Sequence, residues 1–503
     1  MKKNYINTKY IWLLAILIGF TACESDDDSS MSTAPLPALT SGSADFSNYV
    51  SIGNSLTAGF TDNALFMASQ MNSLPSILAA RFSNAGGGSF TQPMMNDNFG
   101  GIAVGGNRIL DPRLVTVGGP PVSLESIIGP VTVTTDLLIN NPTGPFNNMG
   151  VPGAKVGHLL FDGYGNLGNL GVSSNPYFIR MASSPTATVL GDAMAQNPTF
   201  FSLWIGNNDV LEYALTGGND AFPITPLDGP VGLGFDQTYG ALIATLTSNG
   251  SQGVVANIPY VTTIPHFTTV THDVIPLDAN TAAFLNSLSA YGAYNAGLMQ
   301  VEGLGFITAE EREARTITFE ASETNAVVIM DESLTDLTGI NPALVNMRQA
   351  TADDLIVLPA SSFIGTLAIP GNPNTVNGVA VPLADKWVLL PSEQAEIAAA
   401  TDNFNATIQA AASQAGLAFV DANAFMQQIA DSGFASGNFI LTSDLVTGGA
   451  FSLDGVHPTA RGYALLANLF MEAIDTTYGS NFAESGTLIN IGEYPTNYSP
   501  LLQ

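Results

Sequence analysis

The sequence predicts a three-layer α/β/α sandwich around a central parallel sheet. Short apolar runs stop at turn-forming residues, as 49–52 does before Gly53 and 199–205 before Gly206. Helix-length segments alternate with such runs, at 237–248 and from Pro391 onward. Strands alternating with helices pair in parallel and bury both faces of their sheet.

The first strand is 49–52. Helical patterning follows over 57–82, with Ala64, Leu65, Ala68, Met71, Leu78 and Ala79 as candidate core positions. Residues 84–147 are rich in Gly, Pro and Asn and read as a long loop or small excursion. The second strand is 199–205, followed by a helix over 237–248 and a third strand over 253–258. Pro391 opens a long helix with Ser392 as candidate N-cap, and Ile397, Phe404, Ile408 and Ala411 or Ala412 recur near helical spacing. Gly416 ends it, and 417–420 is a further strand. Thr459 can cap a last helix running to about Ile474. Between the third strand and Pro391 lies an insertion, about 260–390, that the sheet does not need. It includes a helical stretch at 280–301 and a β-like run at 326–330, and it reads as a lid, a recognition subdomain or a structural embellishment.

Of the 503 residues, 46% are hydrophobic and 11% charged, the composition of a packed protein with little formal charge of either sign to spare. The net charge is −29. Such a surface repels phosphate backbones and anionic headgroups, which argues against nucleic-acid partners. The N-terminus has its own logic. Lys2, Lys3 and Lys9 precede an apolar run of ten residues at 11–20, too short to span a bilayer. Thr21-Ala22-Cys23 follows and resembles a bacterial lipobox, with Phe20 where Leu, Ile or Val is usual. Residues 1–22 are accordingly expected to be a lipoprotein signal peptide, with Cys23 lipidated and anchoring the chain to a membrane. The acidic stretch 24–28 resembles the export signal of surface-exposed lipoproteins of the Bacteroidetes, and also reads as a plain solvated tether. Residues 23–46 form the expected flexible tether and 47–490 the main folded domain. Cys23 is the only cysteine, so the mature chain has no disulfide and no catalytic thiol.

Four polar blocks carry the chemistry. Ser55 lies just past the first strand, in Gly53-Asn54-Ser55-Leu56, where a helix N-terminus would favour an anionic intermediate. A serine hydroxyl needs a base to become a nucleophile, and the base needs a group to orient it. Of His158, His266, His272 and His457, only His457 has a carboxylate three residues earlier, Asp454, and a proline after it. That spacing lets Asp454 turn back onto Nδ1 and leaves Nε2 for Ser55. An oxyanion needs donors, available from Asn208 in Gly206-Asn207-Asn208-Asp209 and from the backbone of Gly153 and Ser55. Asp209 reads as a brace for the site. Taken singly, each block also reads as an ordinary cap, turn or loop.

Together and in this order, the blocks resemble those of the SGNH/GDSL hydrolase superfamily. Gly53-Asn54-Ser55-Leu56 stands for Gly-Asp-Ser-Leu with Asn54 for Asp; Gly153, Gly206-x-Asn208-Asp209 and Asp454-x-x-His457-Pro458 follow. The resemblance implies a flavodoxin-like fold, Ser55 as nucleophile, His457 as base and Asp454 as its orienter. It further implies Ser55, Gly153 and Asn208 as oxyanion donors, an acyl-enzyme route, and no cofactor or metal. The expected substrate is a small-molecule, lipid or glycan ester. A carbohydrate O-acetylesterase is the alternative within that chemistry, to be supported by exposed aromatics such as Tyr291, Tyr294 or Trp387. A non-catalytic surface binding lipoprotein on the same scaffold is the alternative outside it, and the intact Ser55, Asp454 and His457 argue against it.

Overall fold

The computed structural model describes residues 35–503. The expected signal peptide, Cys23 and the acidic stretch therefore lie outside the described residues. Five strands form the central sheet: β1 (Tyr49–Gly53), β2 (Asn148–Gly150), β3 (Phe200–Trp204), β4 (Gln252–Ala256) and β5 (Ala418–Val420). Their order is β5-β4-β3-β1-β2, and every pairing is parallel. All residues of β1 and β3 are buried, which is why these strands read as unbroken apolar runs rather than as alternation.

Helices flank the sheet. They are α1 (Ser55–Ala58), α2 (Leu74–Phe82), α3 (Asn208–Leu215), α4 (Phe235–Leu246), α5 (Pro391–Ala415), α6 (Ala422–Ser432) and α7 (Ala460–Tyr478). Phe200 and Trp204 point the same way from β3 by strand alternation. The Phe200 ring meets Phe82 of α2 and Tyr478 of α7, and Trp204 meets Phe470 of α7. A second helical layer holds α3, α4 and α5, with Phe235 of α4 stacked on Phe404 of α5 at 3.9 Å between ring centroids. The expected three-layer α/β/α sandwich is the observed one.

Several elements differ from expectation. Residues 57–82 do not form one helix: α1 is a single turn, a short helix covers Met67–Met71, and α2 starts after Ser73, which caps it. Met71 is 62% exposed and so is not a core position. The strand β2 is unforeseen. It is three residues long, and Asn148 occupies it by donating to the Thr57 carbonyl and to Gln92. Ser392 does not cap α5; Leu390 is the N-cap residue, and Glu393 Oε2 accepts from its backbone N–H at 2.6 Å. The stretch 280–301 is two helices, Ala279–Leu285 and Tyr291–Gly303, because the Asn286 side chain leaves the helix to bond Phe319. Residues 84–147 form two small hairpins rather than bare loop.

The body also extends beyond 47–490. Ala44 and Phe46 are buried, with the Phe46 ring stacked on Phe82, so the packed body includes residues expected to belong to the tether. At the other end, the buried Arg113 guanidinium donates to the Tyr498, Ser499 and Leu502 carbonyls. Within the insertion, Val328–Met330 pairs antiparallel with Met347–Gln349, and Arg348 bridges Asp331 and Asp354. No helix among the described residues is long and apolar enough to cross a membrane.

Candidate active site

The sheet register brings three of the four blocks together. Gly53 lies opposite Gly150 on one side and Trp204 on the other, so β1, β2 and β3 end on one line. The carboxyl ends of parallel strands are where open α/β sheets build their sites. Gly53 must be glycine, because a Cβ there would stand 2.3 Å from both Thr57 Oγ1 and the Trp204 carbonyl. The chain therefore leaves β1 without a side chain and turns at once into α1.

Asn54 caps α1, accepting from Leu56 N at 3.0 Å, while its Nδ2 donates to Asn207 Oδ1 at 3.1 Å. The asparagine that replaces Asp in the first block thus keeps a capping oxygen and gains a donor that ties the first block to the third. Since α1 has only four residues, the expected support from a helix N-terminus shrinks to one turn of aligned peptides. The Ser55 and Gly153 backbone N–H groups make no hydrogen bond among the described residues, which leaves both free to donate. Gly153 sits at φ +80°, a conformation side chains avoid.

Asn208 opens α3. Its Nδ2 gives one proton to the Ala154 carbonyl at 2.8 Å, and an amide has a second to offer. Asp209 is fully buried and braces the same loop: Oδ2 accepts from Val156 N at 3.0 Å and Oδ1 from Thr225 Oγ1 at 2.7 Å. Burial pushes its carboxyl up to about 6, against those bonds and Lys155. The Asp209 side chain makes no hydrogen bond to Ser55 or His457.

The fourth block arrives from the turn before α7. His457 Nε2 lies 2.9 Å from Ser55 Oγ, and His457 Nδ1 lies 2.9 Å from Asp454 Oδ2. Asp454 Oδ1 accepts from Val456 N, His457 N and Ser452 Oγ at 2.8, 2.9 and 3.0 Å. Burial opposes its charge, but the His457 ring and these bonds hold it well below the usual carboxylate range. Gly455, at φ +71°, lets the His266 backbone approach and donate to its carbonyl at 3.0 Å. His266 is buried, which disfavours its imidazolium form, against a hydrogen bond to the Asp454 backbone and the charge of that residue. His158 accepts from Lys155 N, and neither it nor His272 makes a hydrogen bond to Ser55, Asp454 or His457. Phe60, which the sequence did not flag, lays its ring 4.7 Å from that of His457. An apolar cavity of about 50 Å³ opens beside Ser55 and His457, walled by Trp204, Leu211, Val261, Ile264, Met426 and Leu466.

The four blocks meet at the carboxyl edge of the parallel sheet, in the arrangement that a serine-histidine-aspartate hydrolase requires. Residues 318–470 match the GDSL-like lipase/acylhydrolase family, a stretch that includes the histidine block and α5 but not Ser55, Gly153 or Asn208. Among solved structures, the chain is similar to the extracellular lipase of Streptomyces rimosus at 12% identity, over 85% of this chain and 98% of that one, with a TM-score of 0.26. No curated protein matches.

Proposed function

We propose that this protein cleaves carboxylic esters of short acyl groups through an acyl-enzyme, and that a lipid on Cys23 holds it at the cell surface. The observation that carries the reaction is the unbroken chain Ser55 Oγ, His457 Nε2, His457 Nδ1, Asp454 Oδ2, with 2.9 Å at each hydrogen bond. His457 Nε2 takes the Ser55 proton as Oγ attacks the ester carbonyl carbon. The carbonyl oxygen becomes an oxyanion facing the backbone N–H groups of Ser55 and Gly153 and the free Nδ2 proton of Asn208. His457 then gives its proton to the departing alkoxide, leaving the acyl group on Ser55. Water attacks that ester by the same path in reverse, with His457 as base, and releases the acid. Asp454 stays ionised throughout and stabilises the imidazolium.

The acyl length is proposed from the cavity. The water-accessible interior of the cavity is only about 50 Å³, which suits a short acyl group better than a fatty chain. Buried apolar walls suit a hydrocarbon tail. Tyr291 and Tyr294 are buried and bond backbone carbonyls, so they offer no stacking surface for a sugar. The surface anchor rests on the N-terminal sequence alone.

The test is hydrolysis of p-nitrophenyl esters from acetate to palmitate by protein starting at Glu24, with Ser55→Ala beside each. Activity is expected to be highest at acetate to butyrate, to fall with length, and to vanish in Ser55→Ala with the fold intact. Wild-type activity in Ser55→Ala would remove the reading, and rates rising toward palmitate would remove the acyl assignment.

A further inference from the structure

The two oxygens of Asp454 are held by different groups. The bonds from Val456 N, His457 N and Ser452 Oγ all reach Oδ1, which pins one oxygen. Oδ2 is the atom that receives His457 Nδ1. One other group reaches Oδ2: the backbone N–H of Asn63, at 2.9 Å.

Asn63 belongs to a tight turn, residues 61–64. Thr61 N donates to the Ala64 carbonyl at 3.1 Å and Ala64 N to the Thr61 carbonyl at 3.0 Å. Both central residues are left-handed, Asp62 at φ 51° and Asn63 at φ 61°. Positive φ at both central positions is the mark of the primed turn, which Asn and Asp tolerate best after glycine. This turn grips the histidine block along its length. Thr61 Oγ1 donates to the Pro458 carbonyl at 3.0 Å, Asp62 N to Ser452 Oγ at 3.0 Å, and Leu453 N to Asp62 Oδ1 at 3.1 Å. Asp62 is only 1% exposed, and its Oδ2 has no hydrogen-bond partner among the described residues. A carboxyl buried for a single acceptor bond is costly to keep there. Asn63 points its own side chain to solvent, so its contribution is its backbone conformation.

We propose that Asp62 and Asn63 are positioning residues for the orienting carboxylate: the left-handed turn fixes the second oxygen of Asp454 and so keeps the His457 ring aimed at Ser55. The proposal rests on the ester-hydrolase reading for its kinetic consequence, but not for its structural one.

The experiment uses the full-length chain. It reads the low-field proton resonance of His457 Nδ1–H, with kcat and KM on p-nitrophenyl acetate, in Asn63→Val and Asn63→Gly. Valine resists positive φ and glycine accepts it. Asn63→Val is expected to lose or shift the resonance and to lower kcat on the order of tenfold or more with KM little changed. Asn63→Gly is expected to rescue both. Asp62→Ala and Asp62→Asn form a second pair, in which Asn keeps the acceptor for Leu453 N and Ala does not; Asn is expected to rescue what Ala loses. A wild-type resonance and kcat in Asn63→Val, at a wild-type circular dichroism spectrum, would overturn the proposal. Ser55→Ala separates it from the reading it rests on: that variant should lose turnover and keep the resonance. If Ser55→Ala keeps turnover, the reading fails, and the resonance in Asn63→Val still decides the turn's role.

Discussion

At the scale of residues, Asp454 shows how a charge is kept inside a protein. Its side chain is 8% exposed, yet it accepts three hydrogen bonds on one oxygen and two on the other. Removing its charge leaves the shape and changes the partner's chemistry. In Asp454→Asn, an amide in place of Oδ2 cannot accept from Nδ1 while it donates, so His457 settles in the wrong tautomer with its proton on Nε2. A kcat loss approaching 10⁴-fold with little change in KM is expected. Steady-state kinetics on p-nitrophenyl acetate would measure it, and retention of a tenth of the activity would show that His457 works without the carboxylate. Asp454 and His457 were legible because their spacing is local, three residues apart. Asn63 was not, because its role is a backbone N–H presented across some 390 residues of sequence, and its side chain carries no sign of it. The available signal was Asp62-Asn63 itself, a turn pair lying inside what read as helical spacing.

At the scale of elements, the site depends on how closely the strands' ends approach α1. Gly150 is as tight as Gly53: a Cβ there would lie 2.3 Å from Ala58 N and 2.8 Å from Ala58 Cα. Both neighbours are backbone, so neither can swing away, and α1 itself would have to move. Gly150→Ala is therefore expected to displace Ser55 and to lower both kcat and the melting temperature, whereas Ser55→Ala lowers only kcat. Paired calorimetry and kinetics would show it, and a variant with wild-type values in both would mean that α1 is less firmly seated than its contacts imply. The long apolar strands β1, β3 and β4 were readable from the sequence because both of their faces are buried. The strand β2 was not, since Asn148-Met149-Gly150 is too short and polar to show a period and is held by side-chain bonds to neighbouring loops. The start of α5 at Pro391 was legible, but its cap was misplaced by two residues for a similar reason. Ser392 has the better capping side chain, but Glu393 reaches back to Leu390 N and fixes the boundary earlier.

At the scale of the whole molecule, acidity should set the conditions under which the fold is most stable. Five carboxyls are raised by burial: Asp62 to about 7, Asp209 to about 6, Asp385 to about 6, Glu393 to about 8, and Glu472; all but Asp209 are raised by acidic neighbours as well. In the unfolded chain such groups ionise near pH 4. Between pH 4 and about 8 the folded state therefore holds protons that the unfolded state has lost, and stability falls as pH rises through that window. Asp454 and Asp354 act in the opposite sense. Burial resists their charge, but His457 in one case and Arg348 in the other hold them low, so their contribution is lost only as pH falls below about 4. The two trends leave an optimum near pH 5. The net charge of −29 adds a general repulsion that also grows as carboxyls ionise, and that salt screens. The melting temperature is thus expected to be several degrees higher at pH 5 than at pH 8. Added salt should close the part of that gap due to surface repulsion and leave the part due to buried carboxyls. Scanning calorimetry at both pH values, with and without about 0.5 M NaCl, would test this. A melting temperature that rises from pH 5 to pH 8 would mean that the buried carboxyls are paired more strongly than their surroundings indicate. A gap that salt abolishes would assign the whole effect to the surface, whereas a gap that survives and closes in Glu393→Gln would place it where α5 meets the insertion.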